Sequence, residues 1–215
     1  MGYSNIIASS KNSLKELDSL VVAVESEVIS GNHGVELITN NVNFFTKSFL
    51  ITLCAHLETC IKDIVYSVAE DIDFRLFNAG IPLAIVDWRY NSKNKNNNNK
   101  DSSIKNNLSS VCKIKLSKKE VDDLVSGNVY KTKESFLIVG IDLASDKAKW
   151  EEWKELIQSI VTRRNNIVHH NDAASDLSFG DIRVYIKSVE DYLDFIHSAC
   201  VAANNALSPT SPVGV

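Results

Sequence analysis

Arg164, Asn165 and His169 fall within six residues of one another in the stretch VTRRNNIVHHNDAASD, residues 161–176. They supply a guanidinium that can grip two phosphoryl oxygens at once, an amide that both donates and accepts, and an imidazole that titrates near neutral pH. That set suits phosphate chemistry, with one group to hold charge and one to move a proton. Asn165 and His169 are four apart and share a face while the helix lasts. Arg164 and His169 are five apart, which places them about 140° from each other on a straight helix. They meet only if the helix loosens at its end, if the long arginine reaches round it, or if a second copy of the chain completes the site.

The helix that must carry these groups is expected from about Asp146 to Val168. On it Trp150, Trp153, Ile157, Ile160, Val161 and Val168 all fall within roughly 60° of Arg164, which therefore sits in the middle of an apolar stripe. Its neighbour Arg163 is about 100° away and reads as an ordinary solvated or snorkelling arginine. A guanidinium facing a core cannot shed its charge, so it needs a carboxylate, a cleft or an interface to receive it. One carboxylate is at hand. Glu58 in HLETC lies on the shoulder of the stripe Leu57, Ile61 and Ile64 of another helix, and is expected to pair with Arg164 across the two.

The remaining elements follow from periodicity. Leu14, Leu17, Val21, Val24 and Val28 predict an amphipathic helix over residues 12–29, ending near Gly31. A longer one is predicted from Asn43 to about Leu76, with Leu50, Leu53, Leu57, Ile61, Ile64 and Val68 on one side. A short helix at Ser117–Val125 is closed by Gly127, and SFLIVGI at 135–141 reads either as a strand or as a packed turn. The last helix opens at Ser178, where SFGD offers an N-cap with an acid three residues on, and runs to about Asn204. The fold class is all-α, a helical bundle. Residues 1–207 are expected to form one domain interrupted by a flexible basic insertion at 91–110, rich in Asn, Lys and Ser. Residues 208–215 are expected to be a loose tail.

Bulk properties narrow the function. A chain of 215 residues, 44% hydrophobic and 23% charged, has the balance of a soluble globular protein. No apolar run reaches the roughly 18 residues that span a bilayer, and the N-terminus lacks a basic region followed by an apolar stretch and a cleavage site, so a cytoplasmic location is expected. MGYSNI fails the myristoylation pattern, with Ile6 where Ser or Thr is expected. The cysteines Cys54, Cys60, Cys112 and Cys200 form no CxxC pair and read as buried thiols. The formal charge of -4 conceals a division: from Arg89 to Lys119 nine basic residues face Asp101 alone. That segment carries +8, so the rest must carry -12. Lys93, Lys95, Lys100 and Lys105 in the insertion are candidate contacts for a polyanion. Trp150 and Trp153 lie on the core arc and are expected to pack rather than to stack on bases. GxSxG, GxxxxGK[ST] and GxGxxG are absent, and His170 with Asp172 has no metal-binding spacing, so neither metal nor cofactor is expected.

RNNIVH at 164–169 resembles the R-polar-x-x-x-H motif of the HEPN superfamily, and the chain looks most like its RiboL-PSP-HEPN endoribonucleases. The likeness extends to the long second helix bearing Glu58, to the approach WEEWKELIQSIVTRRNNIVHH and to the closing helix a few residues later. It implies an α-helical bundle, a homodimer whose two motifs share a cleft, and metal-independent cleavage of RNA, either tRNA or single-stranded, by the 2′-hydroxyl to leave a cyclic phosphate. Arg164 would then stabilise charge developing on phosphorus, His169 would act as general acid or base, and Asn165 would orient the imidazole or the phosphate. By family alone a growth-arrest toxin or antiviral effector is implied, restrained by an antitoxin or other regulatory protein. Toxins of the family silenced by a nucleotidyltransferase carry a Tyr two residues past the histidine. Here that position is Asn171, so control at such a tyrosine is not expected. The rival expectation is a non-catalytic HEPN module that dimerises or docks on a partner.

Overall fold

The computed structural model describes residues 2–30, 36–78, 116–170 and 176–207, and all that follows concerns those. They hold seven helices and no strand: α1 (Gly2–Ser30), α2 (Glu36–Thr39), α3 (Val42–Asn78), α4 (Lys118–Leu124), α5 (Val129–Ile138), α6 (Lys147–His170) and α7 (Phe179–Leu207). The all-α expectation is met. The basic insertion at 91–110 with its four lysines, Cys112, Asn171, Asp172 and the tail at 208–215 lie outside the described residues.

Helix α3 is the pillar of the bundle and packs against each of the other six. Its sequence explains why. Leu50, Leu53, Leu57, Ile61, Ile64 and Val68 make the predicted stripe, and Cys54, Cys60 and Val65 widen it, all of them buried. Residues 42–78 contain no Gly or Pro, so nothing interrupts a rod of about 55 Å. Helix α1 begins ten residues before its predicted start. Tyr3 and Ile7 continue the buried positions Leu14, Leu17 and Val21 toward the N-terminus, across a polar run that hid the periodicity.

Caps set the shorter elements. Ser117 opens α4 with a reciprocal capping box to Glu120. Asn128 opens α5 by accepting from the backbone N–H groups of Tyr130 and Lys131. The run SFLIVGI is neither strand nor a turn alone: it is the last turn of α5 and its termination. Gly140, at φ 79°, allows its own N–H to reach the Leu137 carbonyl and that of Ile141 to reach Phe136 at 2.9 Å. Phe136 and Ile141, both buried, pack beneath the reversal. Thus α5 packs on α3 and on α6.

Helix α6 lies between α3, α5 and α7. Trp150, Ile157, Ile160 and Val161 are buried in it as the stripe predicts. Trp153 is half-buried, with its ring 5.9 Å from Tyr192 and 6.4 Å from Phe195 of α7. Both tryptophans are packing residues. The stripe leaves the core at its end, where Ile167 is buried but Val168 is 45% exposed.

Candidate functional site

Arg164 and Glu58 approach the same place from two helices without meeting. Both lie close enough to the Cys54 thiol for their charges to act on it, although burial dominates and pushes that thiol up to about 12. The expected Glu58–Arg164 ion pair is not made. Glu58 is taken instead by Lys62, one turn further along α3, at 3.0 Å, and Lys62 also lies 3.4 Å from Asp122 of α4. A lysine four residues on competes for the carboxylate at almost no chain-entropy cost.

Arg164 is half-buried and has no carboxylate within ion-pair distance among the described residues. Its Nη1 donates to Oδ1 of Asn165 at 3.0 Å. Its Nε is shut off from solvent with no hydrogen-bond partner. Asn165 thus offers its amide oxygen to the guanidinium. A buried, charged donor left unmatched is costly, and an anion is what would match it.

His169 is exposed in the last turn of α6, and the helix continues in regular α form to His170. The end of the helix therefore does not loosen, and the angular gap between Arg164 and His169 of about 140° persists. Within one chain the arginine would have to reach round the helix. A second chain is the remaining way to bring a guanidinium and an imidazole to one phosphate.

Of the two readings of Arg163, solvated or snorkelling, the second holds. Arg163 is half-buried and donates to Asp176, N to O 2.6 Å, which lies just ahead of α7. The guanidinium holds the Asp176 carboxyl below its ordinary value. Next to it Ser178 and Asp181 form a capping box: the Ser178 N–H donates to Asp181 at 2.9 Å and the Asp181 N–H donates back to the serine oxygen at 3.0 Å. Sequence reasoning missed Asp176, because its contact crosses from one element to another and has no local pattern. The motif end of α6 is thus tied to the start of α7.

No group of three or more His, Cys, Asp or Glu side chains gathers as a metal site among the described residues, and no described helix is long and apolar enough to cross a membrane. Cys54, Cys60 and Cys200 are buried free thiols, as expected. A family model, RiboL-PSP-HEPN, matches residues 7–202. Comparison with curated proteins and with solved structures returns no match.

Proposed function

The chain belongs to the RiboL-PSP-HEPN family, and from that premise we propose that it is a metal-independent endoribonuclease acting through Arg164, Asn165 and His169. The observation that carries this is the half-buried guanidinium of Arg164, which no described carboxylate neutralises and whose Nε has no partner. A phosphodiester can meet the accessible part of the guanidinium and, as the side chain turns toward it, supply the missing acceptor, and a charge that grows on phosphorus in the transition state strengthens the contact when it matters. His169, exposed at the helix end, is accessible to a ribose hydroxyl or a leaving oxygen as general base or acid. The 2′-hydroxyl attacks phosphorus, the 5′-oxygen leaves with a proton, and a cyclic phosphate remains. Asn165 keeps the guanidinium aimed.

In this reading two chains form the active unit, with Arg164 of one facing His169 of its partner across a shared cleft. Lys93, Lys95, Lys100 and Lys105 add sequence-independent phosphate contacts. A salt dependence of RNA binding no shallower in a chain lacking residues 91–110 would remove them from the reading. A growth-arrest or antiviral role, held in check by an antitoxin or regulatory protein, is the biological form such an activity takes.

The test is incubation of the purified protein with labelled tRNA and unstructured RNA in EDTA, wild type beside His169→Ala. Expected are fragments ending in cyclic phosphate, lost by a factor of roughly 10² to 10⁴ in the variant while RNA binding persists. The rival reading, a binding module without catalysis, draws on the exposed Val168 beside Arg164. It predicts no cutting by either protein, and loss of assembly on Arg164→Ala.

A further inference from the structure

The face of α6 turned away from the apolar stripe is polar along its length. Lys154, Gln158, Thr162 and Asn166 follow one another at four-residue steps, and His169 lies three past Asn166. On the helix Gln158, Thr162 and His169 fall within about 40° of arc, so the imidazole of the motif continues this face. Helix α5 borders it, and together they form an open groove of about 600 Å³ lined by Tyr130, Lys154, Gln158, Thr162, Arg163 and Asn166 among others.

Two features distinguish this groove from an ordinary solvated face. Tyr130, on the first turn of α5, keeps 54% of its surface exposed at the groove, although a ring of that size is usually covered. Its hydroxyl end lies close enough to Lys154 for the two to interact electrostatically. Gln158 donates from Nε2 to the Thr162 hydroxyl at 3.2 Å, while its Oε1 is out of contact with solvent and has no partner. One threonine hydroxyl can satisfy only one end of an amide. An aromatic platform beside an acceptor that lacks a donor suits a flat ligand carrying an N–H on its edge. The two cations of the groove, Lys154 and Arg163, are already taken by Glu151 and Asp176, and Glu155, which also lines it, opposes a phosphate there. That leaves the base, not the backbone, as the part the groove can take.

We propose that this groove holds an unstacked nucleobase of a single-stranded RNA next to the scissile position, with the base stacked on Tyr130 and its exocyclic amino group donating to Oε1 of Gln158, whose amide turns out of its covered position to receive it. The proposal rests on the ribonuclease reading for its ligand and extends it: single-stranded RNA with an amino-bearing base is preferred, and the duplex, whose bases are stacked and paired, is not.

The experiment uses the full chain and two uncleavable probes, short 2′-O-methyl oligoribonucleotides of adenine and of unsubstituted purine, which stacks but has no amino group. Wild type is expected to prefer the adenine probe several-fold, and Gln158→Ala to lose that preference. Tyr130→Ala should weaken both probes roughly tenfold, while Tyr130→Phe, which keeps the ring, binds like wild type. If Tyr130→Ala and Gln158→Ala bind both probes as wild type does, the groove is not a base site. Because neither probe can be cut, the result is separate from catalysis. A protein that shows the expected binding but never cleaves ordinary oligoadenylate keeps the base site and loses the ribonuclease reading. One that cleaves it yet is indifferent to both substitutions loses the base site alone.

Discussion

Two charged side chains on facing helices, Arg164 and Glu58, end up with different neighbours, one on Asn165 and the other on Lys62. The angular place of Arg164 in the stripe could be read from the sequence, because helical periodicity converts residue number into direction. Its partner could not, since direction says nothing of how far along α3 a carboxylate sits or which neighbour competes for it. Tyr130 and Gln158 were missed for the related reason that one lies in a helix the sequence did not disclose and the other is polar on a polar face. The observed pairing makes a prediction that differs from the expected one. Glu58→Gln should leave RNA turnover within about twofold of wild type, because Arg164 does not depend on it. It should lower the melting temperature by no more than about 2 °C, the loss of a partly exposed i,i+4 pair being worth about 0.5 kcal/mol at most. A tenfold fall in turnover with an unchanged melting temperature would mean that Glu58 reaches the reacting groups after all.

The end of α6 and the start of α7 form one joint, made by Arg163 with Asp176 and by the Ser178–Asp181 box. The box was visible in SFGD because capping is a local pattern. Helix α5 was not, because ten residues show too few turns for a periodicity and its Gly140 reversal resembles a loop. Ser178→Ala removes a hydrogen bond to a helix-end N–H and should cost about 1 kcal/mol, a fall of about 3 °C in melting temperature. Acid should act on the same joint. Arg163 depresses the carboxyl of Asp176, and bonding to Ser178 depresses that of Asp181. Such groups take up protons more readily when unfolded, so their stabilisation is fully present above the unfolded carboxylate range near 4 and is lost as pH falls through the lower folded values. The deficit of Ser178→Ala measured by thermal melts should therefore shrink as pH falls below about 4. A deficit equally large at acid and neutral pH would place the serine's contribution in its bond with the Asp181 backbone N–H and not in that with the Asp181 carboxylate.

Over the whole molecule, the bundle was readable because its core is repeated in every long helix, and Leu50, Leu57 and Ile64 of α3 or Ile182, Ile186 and Val189 of α7 each report the same inward direction. A composite site has no such redundancy: it depends on where a second chain sits, and one chain's periodicity carries no record of that. The regular α6 turns the question into a countable one, since it holds Arg164 and His169 on different sides. Suppose each cleft takes its guanidinium from one protomer and its imidazole from the other. Arg164→Ala and His169→Ala are then each inactive alone. In a mixed dimer, one cleft joins the two altered residues and is dead, while the other joins an intact Arg164 to an intact His169. Random re-pairing puts half the molecules in mixed dimers with one working cleft in two, so equal mixing after dissociation should restore about a quarter of wild-type cleavage. If the arginine instead reaches round its own helix, every cleft in every mixture lacks one group or the other, and the mixture stays as inactive as its parts. The recovered fraction, measured on labelled RNA in EDTA, therefore decides between a site built by one chain and a site built by two.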